Sequence, residues 1–252
     1  MPYFYLYDSY LQDRSFASVL IKLETTLTDL GIQGRVGRLT LLKSVNDLVD
    51  GAVRDGADTI VAVGNDITLS QVAQAVIKHN KITVGFIPLG TQNQTIAPLL
   101  GIPLGILACH VLSSRIVEEL SVGKINNQYW LQSITIEGSP LLECERSYEV
   151  NLESPHSIKI CNLDSWKENK ESLPQGKGQL VAVLTPARGG GFKFFKQSQT
   201  NASSLPIREL KLSSTDDELP LIVDNYRTLK TPAVITVATQ KLRLIVGKKR
   251  LI

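Results

Sequence analysis

The chain has 252 residues, 43% hydrophobic and 20% charged, a composition that fits a folded globular protein and excludes intrinsic disorder. A net charge of +3 is too small for a dedicated nucleic-acid binder. Three widely spaced cysteines, Cys109, Cys144 and Cys161, offer neither a disulfide framework nor a metal-ligand pair, which points to a reducing cytoplasm.

The N-terminal MPYFYLYDSY lacks a basic region ahead of an apolar core, so no secretory signal is read there. Tyr3 to Tyr7 reads as a buried strand. Ser15 to Leu30 spaces Phe16, Val19, Leu20, Leu23, Leu27 and Leu30 three or four apart, and Gly31 stops the helix they imply. Val36 to Leu42 suits a second strand, and Ser44 caps a helix through Val45, Leu48, Val49 and Val53 toward Gly56. Thr59 to Val63 is apolar throughout, as expected of a strand covered on both faces. Thr68 to His79 is helical in pattern, Ile82 to Ile87 is another buried strand, and helical periodicity returns over Leu104 to Leu120. No Asp, Glu, Lys or Arg lies between Lys81 and Arg115, but Pro98, Gly101, Pro103, Gly105 and His110 interrupt the stretch. It falls short of the roughly 20 apolar residues of a spanning helix, so no transmembrane segment is expected.

Residues 1–120 therefore predict an α/β domain, three layers around a mostly parallel sheet. From Lys124 the texture changes to short β-like runs: Trp130 to Glu137, Tyr148 to Leu152, Ser157 to Cys161, Gln179 to Leu184, Ile207 to Leu212, Leu219 to Val223 and Ala233 to Val246. Asn162 to Lys177 reads as an exposed connection. Residues 121–252 predict an all-β sandwich or open barrel.

Open parallel sheets bind ligands beyond the carboxyl ends of their strands. Two such ends carry polar, glycine-bearing loops: Gly64-Asn65-Asp66-Ile67-Thr68 and Pro88-Leu89-Gly90-Thr91-Gln92-Asn93. Gly64 allows close backbone approach, Asp66 suits a metal-bound water, and Thr68 is placed to cap a helix whose free N–H groups attract phosphate. His79, His110 and His156 are scattered and read as structural. Lys248-Lys249-Arg250 reads as a solvated tail.

Taken together, these loops resemble the diacylglycerol kinase family, within the NAD kinase-like superfamily. Ile60 to Leu69 is similar to that family's strand followed by Gly-Gly-Asp-Gly-Thr-Leu. Ile87 to Asn93 is similar to its Pro-Leu-Gly-Thr-x-Asn-Asp motif, and Ala97 with Leu100-Gly101-Ile102-Pro103 to the Ala and Leu-Gly-Ile-Pro beyond that motif. Gly189-Gly190-Gly191 resembles a glycine cluster of its β-domain, and Val223-Asp224 through Ile245-Val246 its closing pattern. The resemblance implies an ATP- and Mg²⁺-dependent lipid kinase of the diacylglycerol or sphingosine type, working in a cleft between the two domains on a membrane lipid, from the cytoplasm or its membrane surface. Gly64, Asn65, Asp66 and Thr68 would form the phosphate and metal loop. Gly90, Thr91 and Asn93 would contact nucleotide, and Asp224 would be the base that takes the acceptor proton. The sequence departs from the pattern at Asn65 and Ile67, which replace glycines, and at Gln94, Ser121 and Tyr226, which replace carboxylates. Amide and hydroxyl groups hold Mg²⁺ more weakly than carboxylates. These departures set a second expectation beside the kinase: a non-catalytic relative that binds nucleotide or lipid.

Overall fold

The computed structural model describes residues 3–90, 92–145, 148–150, 152, 154–163, 167–168, 171–172, 178–186, 202–214 and 217–252. It divides into two units, Met1–Ser121 with Thr239–Ile252, and Val122–Ala238.

In the first unit the strands β1 (Tyr3–Tyr7), β2 (Gly34–Arg38), β3 (Thr59–Gly64) and β4 (Thr83–Pro88) are all parallel and ordered β2-β1-β3-β4. Every residue of β1, β3 and β4 is buried, which explains why they are apolar runs rather than alternating ones. Helices α1 (Ala17–Asp29), α2 (Val45–Arg54), α3 (Asp66–Val76), α4 (Ile96–Leu99) and α5 (Ala108–Ser114) connect and cover them. The step from β1 to β2 runs opposite to the steps from β2 to β3 and from β3 to β4. Right-handed crossovers therefore put α1 on one face of the sheet and α2 and α3 on the other. The contacts agree: α2 packs on α3, and α1 on α5. The direction of winding reverses between β1 and β3, which makes the ends of those strands the topological switch point of the sheet.

Two expectations for this unit are corrected. The apolar periodicity of Leu104 to Leu120 is not one helix, because α5 stops at Arg115 in a left-handed conformation (φ 48°). A strand, β5 (Val117–Ile125), begins directly after it. The tail also returns. Arg243 and Leu244 pair in parallel with Thr83 and Val84, and the N–H groups of Val246 and Gly247 donate to the carbonyls of Ile116 and Leu100. The second unit thus ends at Ala238, and does not run from 121 to 252.

The second unit is a β-sandwich. One sheet runs Ser203–Ile207, Leu180–Pro186, His156–Cys161, Ser133–Gly138, Pro220–Val223, Arg227–Lys230, antiparallel throughout. Leu141–Cys144, Glu209–Ser213 and the first residues of Ala233–Ile245 pair in the other. Alternate residues from both sheets, including Ile134, Ile136, Ile158, Ile160, Leu210, Leu212 and Ile235, meet in one core around buried Trp130. Asn162, expected to be exposed, is buried, and its carboxamide donates to the Leu131 carbonyl at 2.8 Å. The glycines Gly189, Gly190 and Gly191 lie outside the described residues. Among the described residues, no helix is long and apolar enough to cross a membrane.

Leu69 is fully buried where α3 meets β3. Leu69→Ala is expected to destabilise the fold by about 3 kcal/mol, measured by urea denaturation, because truncation leaves a cavity that rigid neighbours do not fill.

Candidate functional site

The sheet register brings three strand ends together. Asp8, just after β1, donates its N–H to the Val63 carbonyl at 3.0 Å, and Gly64 pairs with Pro88. The Leu89 N–H donates to the Gly64 carbonyl at 2.8 Å. The two loops singled out in the sequence are therefore neighbours at one rim, and Asp8 and Tyr10 of the β1–α1 connection join them.

Helix α3 starts one residue after Asn65, and Asn65 is its cap. Its side-chain oxygen accepts from the N–H groups of Ile67 (3.0 Å) and Thr68 (3.2 Å). Thr68 is not the cap but the reciprocal member of the box: its hydroxyl oxygen accepts the Asn65 N–H at 3.1 Å. The Thr68 hydroxyl in turn donates to Asp8 Oδ2 at 2.5 Å. The Asp66 N–H donates to the Asn93 carbonyl at 2.8 Å. The N–H groups of residues 65–68 are thus all engaged within the protein. A helix start attracts anions only through N–H groups that lack such partners. Gly64 is required by this packing, since a Cβ there would lie 2.2 Å from the Thr68 hydroxyl oxygen.

Asp66 does not face outward. Its Oδ2 accepts from the Thr95 N–H (2.6 Å), the Thr95 hydroxyl (2.8 Å) and the Ile96 N–H (3.2 Å), so it fastens the start of α4 to the start of α3. Its Oδ1 is buried without a hydrogen-bond partner. Burial pushes the carboxyl above the usual range, and the Thr95 and Ile96 bonds oppose that rise.

The second loop is more open. Gly90 has φ 121°, a conformation reserved for glycine, and a Cβ there would come 3.0 Å from Tyr10 Oη. The Tyr10 hydroxyl donates to the Leu89 carbonyl, and Gln94 Nε2 donates to the Gly90 carbonyl at 2.8 Å. Asn93 is left-handed, at φ 54°. Thr91 lies outside the described residues. Among the described residues, the N–H groups of Gly90, Gln92, Asn93 and Gln94 have no hydrogen-bond acceptor. Two of these residues, Gly90 and Gln92, line a pocket of about 200 Å³ together with Tyr10, Phe16 and Asn65. Tyr10 and Phe16 meet edge to face in its lining, with ring centroids 5.7 Å apart.

Asp224 belongs to the second unit and sits in a turn, left-handed at φ 50° and 1% exposed. Its carboxylate accepts from the N–H groups of Leu131 (3.0 Å) and Gln132 (2.7 Å), and its own N–H donates to the Ser133 carbonyl at 2.8 Å. Burial raises its pKa, opposed first by these backbone bonds and then by Arg227. Both oxygens are committed to holding a loop. The residues standing where the resemblance wants carboxylates also have local roles. Gln94 braces Gly90, Ser121 Oγ accepts from Lys241 Nζ at 2.6 Å, and the Arg227 guanidinium lies 5.1 Å from the centre of the Tyr226 ring.

The residues present do not fit a resident Mg²⁺. One Asp66 oxygen is filled by three donors and the other is shut from solvent, and among the described residues no group of three His, Cys, Asp or Glu side chains could hold a metal ion. Asp8 and Tyr10 stand where the resemblance places a different loop after the first strand; the sequence pattern assigns neither of them a role, nor does it single out Thr95. Asp8 carried one usable signal, a carboxylate directly after a buried strand.

The Asp224 geometry predicts a structural effect. Asp224→Ala leaves two buried N–H groups without acceptors and is expected to cost about 3 kcal/mol in urea denaturation. The carboxyl of Asp66 also sets a pH trend. Its folded pKa lies above its unfolded value, so the native state holds the proton more tightly. Stability then falls as pH rises through the interval between the two values. Asp66→Asn is expected to flatten that fall, read from thermal melts between about pH 4 and pH 7.

Known proteins share both the sequence pattern and the fold. The family "Diacylglycerol kinase catalytic domain" matches residues 7–125. A diacylglycerol kinase of Staphylococcus aureus is 30% identical over 170 residues, 65% of this chain and 49% of that protein. A probable lipid kinase, YegS-like, of Pseudomonas aeruginosa is 33% identical over 89 residues, 35% of this chain and 29% of that protein. The chain thus spans about half or less of the curated relatives it matches. Among solved structures, a diacylglycerol kinase of Bacillus anthracis superposes with TM-score 0.76 at 17% identity, covering 98% of this chain and 97% of that one. An NAD kinase of Archaeoglobus fulgidus in complex with ATP superposes with TM-score 0.62 at 13% identity, covering 100% and 96%. At these identities the two structures establish the fold alone.

Proposed function

This chain is a divergent member of the diacylglycerol kinase-like family, and from that premise we propose that it binds a nucleotide at the rim of β3 and β4 without transferring its phosphoryl group. One observation carries the reading: the N–H groups of residues 65–68 are spent on Asn65, Thr68 and Asn93, and Oδ2 of the adjoining Asp66 is spent on Thr95 and Ile96. Transfer of a phosphoryl group needs donors and carboxylates aimed at the charge that develops on the moving group. At this turn they are aimed at each other.

Anion reception falls instead to the open amides of Gly90 and Gln92, which line the pocket with Tyr10 and Phe16, and of Asn93 and Gln94 that follow them. Such a nest of N–H groups receives a polyphosphate, and Mg²⁺ accompanies the nucleotide rather than residing in the protein. Gly90 and Asn93 keep the ligand-contact role the sequence suggested. Gly64 and Thr68 build the turn, and Asn65 closes it.

A second reading, an ATP-dependent lipid kinase acting on a lipid hydroxyl, is favoured by the unpartnered Oδ1 of Asp66. It is an enclosed carboxylate oxygen with capacity to spare. In that reading Asp66 is the catalytic carboxylate, and the Asn65 cap opens when nucleotide arrives.

Calorimetric titration is expected to show ATP binding that changes little when Mg²⁺ is withheld. Incubation with labelled ATP and a lipid extract is expected to leave the lipids unlabelled. Mg²⁺-dependent labelling that Asp66→Ala abolishes would instead establish the kinase. Asn65→Gly removes the side chain that competes for the α3 amides while costing little as a cap, and ATP affinity is expected to rise about tenfold, or about 1.4 kcal/mol.

A further inference from the structure

We propose that the turn Thr40-Leu41-Leu42-Lys43 is a docking tip that seats Leu41 and Leu42 in the headgroup boundary of an anionic lipid surface. Leu41 is 106% exposed and Leu42 94%, the most exposed large hydrophobic side chains among the described residues. The turn is ordered around them. The Thr40 N–H donates to the Lys43 carbonyl at 3.4 Å, the Lys43 N–H to the Thr40 carbonyl at 3.2 Å, and Gln12 Nε2 to the Leu39 carbonyl at 2.8 Å.

Local chemistry gives no reason for leucine here. Central turn positions favour Gly, Pro, Asn, Asp or Ser, each of which satisfies the turn without exposing apolar surface. Two adjacent leucines held fully in water incur a hydration cost that only a partner relieves. Leu41 and Leu42 also line an open hollow together with Leu39, Val45 and Gln71, which a soft apolar phase can fill.

The charges nearby match a negatively charged surface. Arg38 and Lys43 flank the leucines, both exposed, and neither forms an ion pair with a described residue; Arg38 lies against the Tyr7 ring. The nearest acidic residue in sequence, Asp47, has its carboxylate turned back onto the N–H and hydroxyl of Ser44 at 3.1 and 2.6 Å. That hollow is lined by residues 39–45 of the turn with Ser9, Gln12 and Gln71, and Lys43 is the one charged residue among those described in its lining. Apolar insertion joined to cationic attraction is the two-part combination that holds a protein at a membrane surface when neither part suffices alone. The tip follows β2 at the carboxyl end of the parallel sheet, the same rim as the Gly64 and Gly90 loops. Docking there does not depend on the nucleotide reading.

The test is co-sedimentation of the full chain with phosphatidylcholine vesicles containing about 30% phosphatidylserine, and with phosphatidylcholine alone. Binding to the anionic vesicles is expected, weaker at high salt and at least tenfold weaker for Leu41→Asp/Leu42→Asp, with an unchanged melting temperature. Leu41→Trp should shift its emission to the blue on adding anionic vesicles, relative to the unsubstituted chain. Equal sedimentation of the double variant and the unsubstituted chain, or no binding by the latter, would overturn the proposal. So would a self-associated species in sedimentation velocity that the double variant abolishes, since the leucines would then bury against a second copy.

Discussion

A helix that begins directly beyond a buried strand leaves several backbone N–H groups in need of acceptors, and the way α3 meets that need determines the character of the whole rim. Water, a bound anion or a side chain can each supply the acceptor. Here Asn65 and Thr68 supply it reciprocally, and Asn93 takes the N–H of Asp66. The consequence spreads outward. Because the Thr68 hydroxyl both accepts from Asn65 and donates to Asp8, the cap reaches across the switch point to the end of β1. Because Asp66 is then free to turn away from α3, it accepts from Thr95 and Ile96 and fixes the second loop against the first. A network in which each N–H already has its acceptor resists the entry of another anion.

The two acidic residues that invite a catalytic reading, Asp66 and Asp224, follow one pattern in two different units. Each is 1% exposed, each has its pKa pushed up by burial, and each collects N–H donors from a separate stretch of chain. A buried carboxylate accepting several N–H bonds joins loops more firmly than a neutral side chain does, since charge-assisted bonds are the stronger kind. They differ at one atom. Asp224 uses both oxygens, whereas Asp66 keeps Oδ1 unused, so any residual chemistry resides in Asp66.

How much of this was legible depends on what each residue type reveals locally. The buried strands Tyr3–Tyr7, Thr59–Gly64 and Thr83–Pro88 were readable because a strand covered on both faces must be an unbroken apolar run. The sandwich was readable from short runs between polar turns, and the Ser44 cap from its position before an amphipathic stretch. Leu104 to Leu120 misled because α5 and β5 adjoin through a left-handed Arg115, a conformation that arginine does not advertise. The return of the tail to β4 was hidden because parallel pairing between residues about 160 apart leaves no local trace. At the site, Asn65, Asp66, Gly90 and Asn93 were found by residue type, but their roles were not. Whether an Asp points at solvent or at Thr95 is decided by a loop about 30 residues away, and no spacing rule carries that information.

Asn65 and Ile67, standing where the resemblance places glycines, make physical sense only if both are read together. Ile67 alone is a poor occupant of a turn that needs positive φ, because a β-branched side chain is strained there. The helix removes the requirement: α3 already includes Asp66, and Ile67 takes no positive φ. What lets the helix begin that early is Asn65, which is among the most favourable residues at the cap position and donates and accepts within the box. Asparagine without a helical successor would leave its oxygen without the Ile67 and Thr68 amides, and isoleucine without the cap would leave those amides bare. The pair therefore defines a turn whose N–H groups are complete without a ligand, and under the proposed nucleotide reading it leaves the Gly90 loop to hold the ligand.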